Sequence, residues 1–274
     1  MESSSADNWA AYKASDIPSK GLQLPQLFYD TLQKVETEGH APVTHAYNPN
    51  PAFKLVRTLE LGCGCGALSD YLSKVRKHVV IGTDVNQEAL EMARGSAKLP
   101  FTTNFLVADV TRTTMVEEMD QMLKLHVNTI FLPFGTAGST CRGMFDFVVL
   151  QLLLSIIGGV MERTQTLQNA LTMCRPGGFL YLSCSGVSDD INPKYAELYQ
   201  QDRSITGEDY TYLSRDDTGK VLYTTHHFQS DELKELLASV GFEDIHIEKV
   251  KETSSRRPEE AANFLYATAR RPAV

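Results

Sequence analysis

The chain has 274 residues, a length that suits one large α/β unit with appendages. Apolar residues make up 42% and charged residues 22%, which excludes disordered, collagen-like and fibrous classes. Its 26 Lys and Arg against 34 Asp and Glu give a net charge of −8, which argues against a broad phosphate-tracking surface and makes nucleic acid an unlikely partner.

The opening Met1-Glu-Ser-Ser-Ser-Ala-Asp7 lacks the basic-then-apolar order of a secretory signal, so a cytoplasmic location is expected. An aromatic entry (Trp9, Tyr12) leads to a helical pattern in Leu24, Leu27, Phe28, Leu32 and Val35, then to a loop rich in Pro, His and Asn over Gly39 to Pro51. This prelude, residues 1–54, reads as a helical cap and loop. From Leu55 short apolar runs alternate with helical patterns. Strands are expected over Leu55 to Leu61, His78 to Thr83, Asn104 to Ala108, Phe145 to Leu150 and Gly178 to Cys184. Helices are expected over Gly66 to Arg76, Glu88 to Ala97, Met115 to Leu125 and around Arg163 to Cys174. The greasiest stretch, Phe145 to Met161, is broken by Asp146, Gln151, Ser155 and Gly158-Gly159; it reads as a buried strand running into a loop, not a membrane span.

Two stretches interrupt the alternation. His126 to Gly143, with Pro133, Gly135, Gly138 and Gly143, reads as an irregular insertion with one extra short strand at Asn128 to Leu132. Residues 186–228 are polar and Tyr-rich; a turn at Asp217-Thr-Gly219 between strand patterns suggests a hairpin or lid beside the sheet. Ser230 then caps a helix that Gly241 closes, and Asp244 to Val250 and Asn263 to Ala269 are the last strands. The fold class is therefore α/β: a doubly wound, mostly parallel seven-stranded sheet with a final antiparallel strand and helices on both faces. Residues 55–185 form its Rossmann-like core and 229–274 the C-terminal part of the sheet.

The sharpest motif is Leu59-Glu60-Leu61-Gly62-Cys63-Gly64-Cys65-Gly66, where a strand turns into a helix and glycines let backbone approach a ligand. Gly62 to Ala67 also satisfies the dinucleotide pattern, with Asp84 22 residues beyond Gly62 as a ribose acid, so the glycines alone leave both nucleotide classes open. Three features tilt the reading. Glu60 sets a carboxylate beside the turn, which suits a ligand carrying positive charge better than a pyrophosphate. Asp109 ends the third strand, where it can accept from an exocyclic amine. The closing helix and two strands in succession suggest a final antiparallel strand. The five cysteines (Cys63, Cys65, Cys141, Cys174, Cys184) follow neither a disulfide nor a zinc pattern, so free thiols and no metal are expected.

Together these residues, with Phe145-Asp146 and Arg175-Pro-Gly-Gly178, resemble class I S-adenosylmethionine-dependent methyltransferases, small-molecule enzymes in particular. The resemblance runs from about Leu55 to the C-terminus. It implies S-adenosylmethionine as cofactor and S-adenosylhomocysteine as product. It places Glu60, Gly62, Cys63, Gly64 and Gly66 at the methionine portion, Asp84 and Val85 at the ribose, and Asp109 and Val110 at the adenine. Gln151 falls where the family often contacts the methyl donor. Asp146 reads as a structural opener of its strand.

The acceptor side is less defined. Trp9, Tyr12, Phe28, Tyr29, the insertion over 126–143 and the tyrosines before His226 are the candidate pocket walls. Of His226-His227 at most one can face a cleft, because adjacent strand residues point to opposite sides; His226, His227 and Tyr12 are the candidate catalytic residues. Ser254-Ser-Arg256-Arg257-Pro258 reads as a solvated loop. The reading is methyl transfer to an O, N or S nucleophile of a small metabolite by in-line displacement. Three alternatives stand: an enzyme for modified wobble uridine in transfer RNA, which Leu222 to Phe228 loosely resembles; a nicotinamide oxidoreductase; and a non-catalytic methyltransferase-like subunit.

Overall fold

Strand and helix alternate through the middle of the chain because each βαβ unit buries both faces of a parallel strand, and the apolar runs are continuous for that reason. The computed structural model describes residues 5–14, 22–38, 55–96, 103–130, 140–254 and 260–273. After α1 (Ser5–Ala10) and α2 (Gln26–Glu38) come β1 (Arg57–Leu61), α3 (Ala67–Lys74), β2 (Val79–Asp84), α4 (Gln87–Ser96), β3 (Thr103–Val107) and α5 (Met115–Ile130). Then follow β4 (Phe145–Gln151), α6 (Val160–Met173), β5 (Cys174–Gly186), α7 (Pro193–Thr206), β6 (Thr211–Arg215), β7 (Val221–His226), α8 (Ser230–Val240), β8 (Glu243–Thr253) and β9 (Ala261–Arg270).

Seven strands pair in the order β3-β2-β1-β4-β5-β9-β8, and β6 with β7 forms a separate hairpin. The strands from β1 to β5 are parallel, with Leu59 aligned to Ile81 on one side and to Val148 on the other; β9 runs antiparallel to both neighbours, as expected of the closing strand. Alternation along the strands splits the core in two. Leu59, Ile81, Val148 and Leu180 face α5, α6 and α8 through Met119, Leu167 and Leu233. Val80, Phe147, Val149 and Tyr181 face α2, α3 and α7 through Phe28, Leu72 and Tyr195. The order reverses between β1 and β4, so the carboxyl ends of the strands open a crevice there, where ligands bind in open α/β sheets.

Four local readings need correcting. The inserted segment carries a helix, α7, that the Tyr-rich composition hid; its signature was present in Asn192, whose side chain accepts from Lys194 N–H at 3.2 Å, in Pro193 at the first turn and in Gly207 at the end. Where a short strand was expected from Asn128, α5 continues to Ile130, while Phe131 and Leu132 lie outside the described residues. The cap of α8 is Gln229, one residue before Ser230: its side chain accepts from the Glu232 N–H and the Glu232 carboxylate accepts from the Gln229 N–H. Arg175 to Gly178 lie within β5, at a shift of register against β4, not ahead of it. The loop over Gly39 to Pro51 also lies outside the described residues.

Asp146 is fully buried in β4 and accepts from the Arg57 N–H at 2.8 Å and the Arg175 guanidinium at 3.0 Å. A buried carboxylate persists when paired in this way, which fits the structural reading of the Phe-Asp pair.

Candidate active site

The turn after β1 is shaped by close approach. Gly62 has φ +70° and a Cβ there would meet Leu153 Cδ1 at 2.8 Å; Gly66 has φ +77° and a Cβ would meet Phe105 Cζ at 2.7 Å and Ala93 Cβ at 2.9 Å. Gly64, between them, has nothing within 4 Å of its Cβ direction and faces open space. Its N–H donates to Asp84 Oδ2 at 2.8 Å, while the Asn86 N–H donates to Asp84 Oδ1 at 2.9 Å. The acid at the end of β2 is thereby aimed by the two backbones beside it.

Glu60, in β1, is buried and accepts from Ser69 Oγ. Burial pushes its carboxyl up to about 8, against the opposing hydrogen bonds from Ser69. Burial likewise raises Asp84 above the usual carboxylate range. Asp109, past β3, accepts from the Thr111 N–H at 2.9 Å and hydroxyl at 2.7 Å. The loop that carries it is pinned by Asn169 of α6, whose amide donates to the carbonyls of Val110 and Arg112, both at 2.9 Å. Asn169 went unnoticed in the sequence because a polar residue in an amphipathic helix gives no sign of facing inward.

These residues surround a cavity of about 250 Å³. Glu60, Gly62, Cys63, Gly64, Asp84, Val85, Asp109, Val110 and Gln151 all line it. Gly66 stands behind it as the cap of α3, against Phe105 and Ala93. Ser155 and Ile156 of the 3-10 turn after β4 also line it, and Trp9, Tyr195, Tyr212, Tyr223 and Phe264 add an aromatic outer wall.

The histidine pair divides as strand geometry requires. His227 lines the cavity. His226 turns inward instead, with Nδ1 at 2.7 Å from Thr211 Oγ1 and Nε2 at 2.8 Å from Glu232 Oε1, so it is a scaffold histidine joining the hairpin to α8. The His227 ring packs against Tyr195 and Tyr212, and its Nδ1 lies 2.6 Å from the Tyr199 hydroxyl. Burial holds it neutral, its pKa lowered to about 3. That one hydrogen bond to Tyr199 fixes the orientation of the His227 ring in the wall. Tyr12 packs behind Trp9 and Tyr223, at ring separations of 4.9 and 6.1 Å, and does not itself line the cavity. Phe28 is buried under the sheet against Phe147 and Tyr181, and Tyr29 is exposed. Of the basic loop only Ser254 is described, and it reaches the cavity rim.

Residues 27–247 match the family described as a methyltransferase domain. No curated protein sequence matches the chain. A SAM-dependent methyltransferase from Methanosarcina mazei is 24% identical with a TM-score of 0.65, over 86% of this chain and 100% of that one. Phosphoethanolamine N-methyltransferase 2 of Haemonchus contortus, in complex with S-adenosyl-L-methionine, is 13% identical with a TM-score of 0.59, over 99% of this chain and 60% of that one. A putative methyltransferase of Haloferax volcanii, in complex with the Trm112 activator, is 14% identical with a TM-score of 0.55, over 98% of both chains. Identities this low speak for a shared fold. Among the described residues no helix is long and apolar enough to cross a membrane.

Proposed function

The chain belongs to the class I S-adenosylmethionine-dependent methyltransferases, and from that premise we propose that it methylates an oxygen, nitrogen or sulfur atom of a small metabolite in the cytoplasm. The observation that carries this reading is the Asp84 carboxylate aimed by Gly64 and Asn86 beside a buried second acid, Glu60.

The residues fit the donor. Asp84 accepts from ribose hydroxyls with its remaining lone pairs, and Asp109 accepts from the adenine amine beside Val110. Glu60 faces the cationic amino-acid tail, and the open side of Gly64 admits the ligand against bare backbone. Gln151, at the end of β4, lines the cavity and would contact the methyl donor there. When bound, the cofactor supplies a sulfonium methyl, already a strong electrophile. What remains for the protein is to align the acceptor and exclude water.

His227 orients the acceptor as a neutral ring, steadied by Tyr199. A ring whose cation is so disfavoured is a poor proton acceptor, so we assign it positioning and not base catalysis. The outer wall is aromatic, and the stretch that resembles transfer-RNA enzymes turns Tyr223, Thr225 and His227 into the cavity, which favours a small, flat acceptor over a polyanion. Methyl transfer from labelled S-adenosylmethionine to a metabolite panel, with transfer RNA run in parallel, tests this. Labelled small-molecule product is expected; label in the RNA alone contradicts it.

A further inference from the structure

The turn that follows β4 is held along its length. At its start the Leu152 N–H donates to the Ser183 carbonyl at 3.0 Å, and midway Ser155 Oγ accepts from the Ser185 N–H at 2.6 Å. At its end stands Gly158-Gly159, a pair with little conformational preference of its own. There Arg163 of α6, buried at 1% exposure, donates through Nη1 to the carbonyls of Ile157 and Gly158, both at 3.1 Å.

The same guanidinium donates through Nη2 to Glu208 Oε2, and the other oxygen of Glu208 accepts from the Val160 N–H at 3.1 Å. Glu208 belongs to the inserted segment, between α7 and β6. That segment is braced internally: Asp202 of α7 accepts from the Leu213 N–H at 2.8 Å and from the Arg215 guanidinium at 2.6 Å, both in β6. Arg163 therefore joins two parts of the cavity lining. The turn contributes Leu153, Ser155 and Ile156, with Leu153 packed on Gly62 of the cofactor turn. The insert contributes Tyr212, Tyr223 and His227 on the acceptor side. Neither Arg163 nor Glu208 lines the cavity itself.

We propose that Arg163 is a positioning residue for the methyl donor, its ion pair with Glu208 setting the turn after β4 and the acceptor-side insert in one fixed arrangement. The proposal rests on the methyl-donor reading above. A buried ion pair contributes little net stability beside apolar packing of the same volume, because desolvation offsets its attraction. What the planar guanidinium supplies is direction. It reaches two carbonyls of the turn and one carboxylate of the insert at once, which the single ammonium of a lysine cannot reproduce.

The test measures S-adenosylhomocysteine affinity by calorimetry, well below the melting temperature, in the full chain and in Glu208→Gln, Arg163→Lys and the double variant. Glu208→Gln removes the charge and keeps an oxygen for the Val160 N–H; Arg163→Lys keeps the charge and loses the fork. Each single variant is expected to bind roughly three- to tenfold more weakly, although neither side chain lines the cavity. The double variant is expected to bind no more weakly than the poorer single, because both act through one pair. A purely structural role would lower the melting temperature and leave the Kd of the folded protein unmoved. Single variants that bind as the wild type does, or losses that add in the double variant, overturn the proposal while the methyl-donor reading stands. Where Arg163→Lys does not fold, Glu208→Gln decides alone, and wild-type affinity in it overturns the proposal. Wild-type protein that binds no S-adenosylhomocysteine removes that reading and this proposal with it.

Discussion

Gly64 donates its backbone N–H to Asp84 Oδ2 at 2.8 Å, joining the turn after β1 to the acid that ends β2. The carboxylate is held in place before any ligand arrives, so ordering it costs little on binding. Asp84→Ala is expected to weaken S-adenosylhomocysteine by about 1.5 to 3 kcal/mol, the loss of charge-assisted hydrogen bonds. Calorimetry reads the change directly, and an unchanged Kd would move the ribose contact to another group.

The two neighbouring glycines separate stability from binding. Gly66→Ala drives a methyl into Phe105 and Ala93 and adds left-handed strain, a combined cost of about 2 to 4 kcal/mol, seen as a lower melting temperature. Gly64→Ala meets no protein atom and carries the strain alone, about 1 to 2 kcal/mol, but its methyl projects toward open space where the ligand is placed. It should lose affinity out of proportion to its stability. Equal behaviour of the two variants in both assays would mean that the turn does not face the ligand.

Glu60 links binding to protons. Its folded pKa near 8 lies above the ordinary 4.5, so between those values the folded chain keeps a proton that the unfolded chain has released, and stability falls as pH rises through that window. Glu60→Gln is expected to flatten that fall. A ligand ammonium nearby favours the carboxylate, so binding should release a proton near pH 7 and tighten as pH rises toward 8. Calorimetry in two buffers of different ionisation enthalpy measures the release, which Glu60→Gln should abolish.

His227 acts with the opposite sign. Its folded pKa near 3 lies below the ordinary 6.5, so the unfolded chain takes up a proton first and stability is lost as pH drops from about 6.5 toward 3. His227→Gln should make the acid side of the stability curve shallower. An acid limb as steep as that of the wild type would mean that the ring is not held neutral.

The core and its motif were readable because their signals are local and periodic. Continuous apolar runs mark strands buried on two faces, and Gly62, Gly64 and Gly66 mark a turn that side chains cannot enter. What escaped depends on tertiary contact. Asn86 and Asn169 look like ordinary polar residues until their amides are seen holding carbonyls 74 and 59 positions away. The choice between His226 and His227 required knowing which face of β7 meets α8. Tyr12 and Phe28 were grouped with Trp9 by proximity in sequence, yet Phe28 is buried against Phe147 and Tyr181 away from the cavity lining and Tyr12 stands behind the wall. The helix α7 was legible in its caps and was masked by its tyrosines.

The central claim is that the crevice at the ends of β1 to β4 binds an S-adenosyl ligand and not a dinucleotide. Calorimetric titration of the folded chain with S-adenosylhomocysteine and, separately, with NADH decides it most directly. The account predicts single-site heat with S-adenosylhomocysteine and none with NADH; heat from NADH with silence from S-adenosylhomocysteine would contradict it.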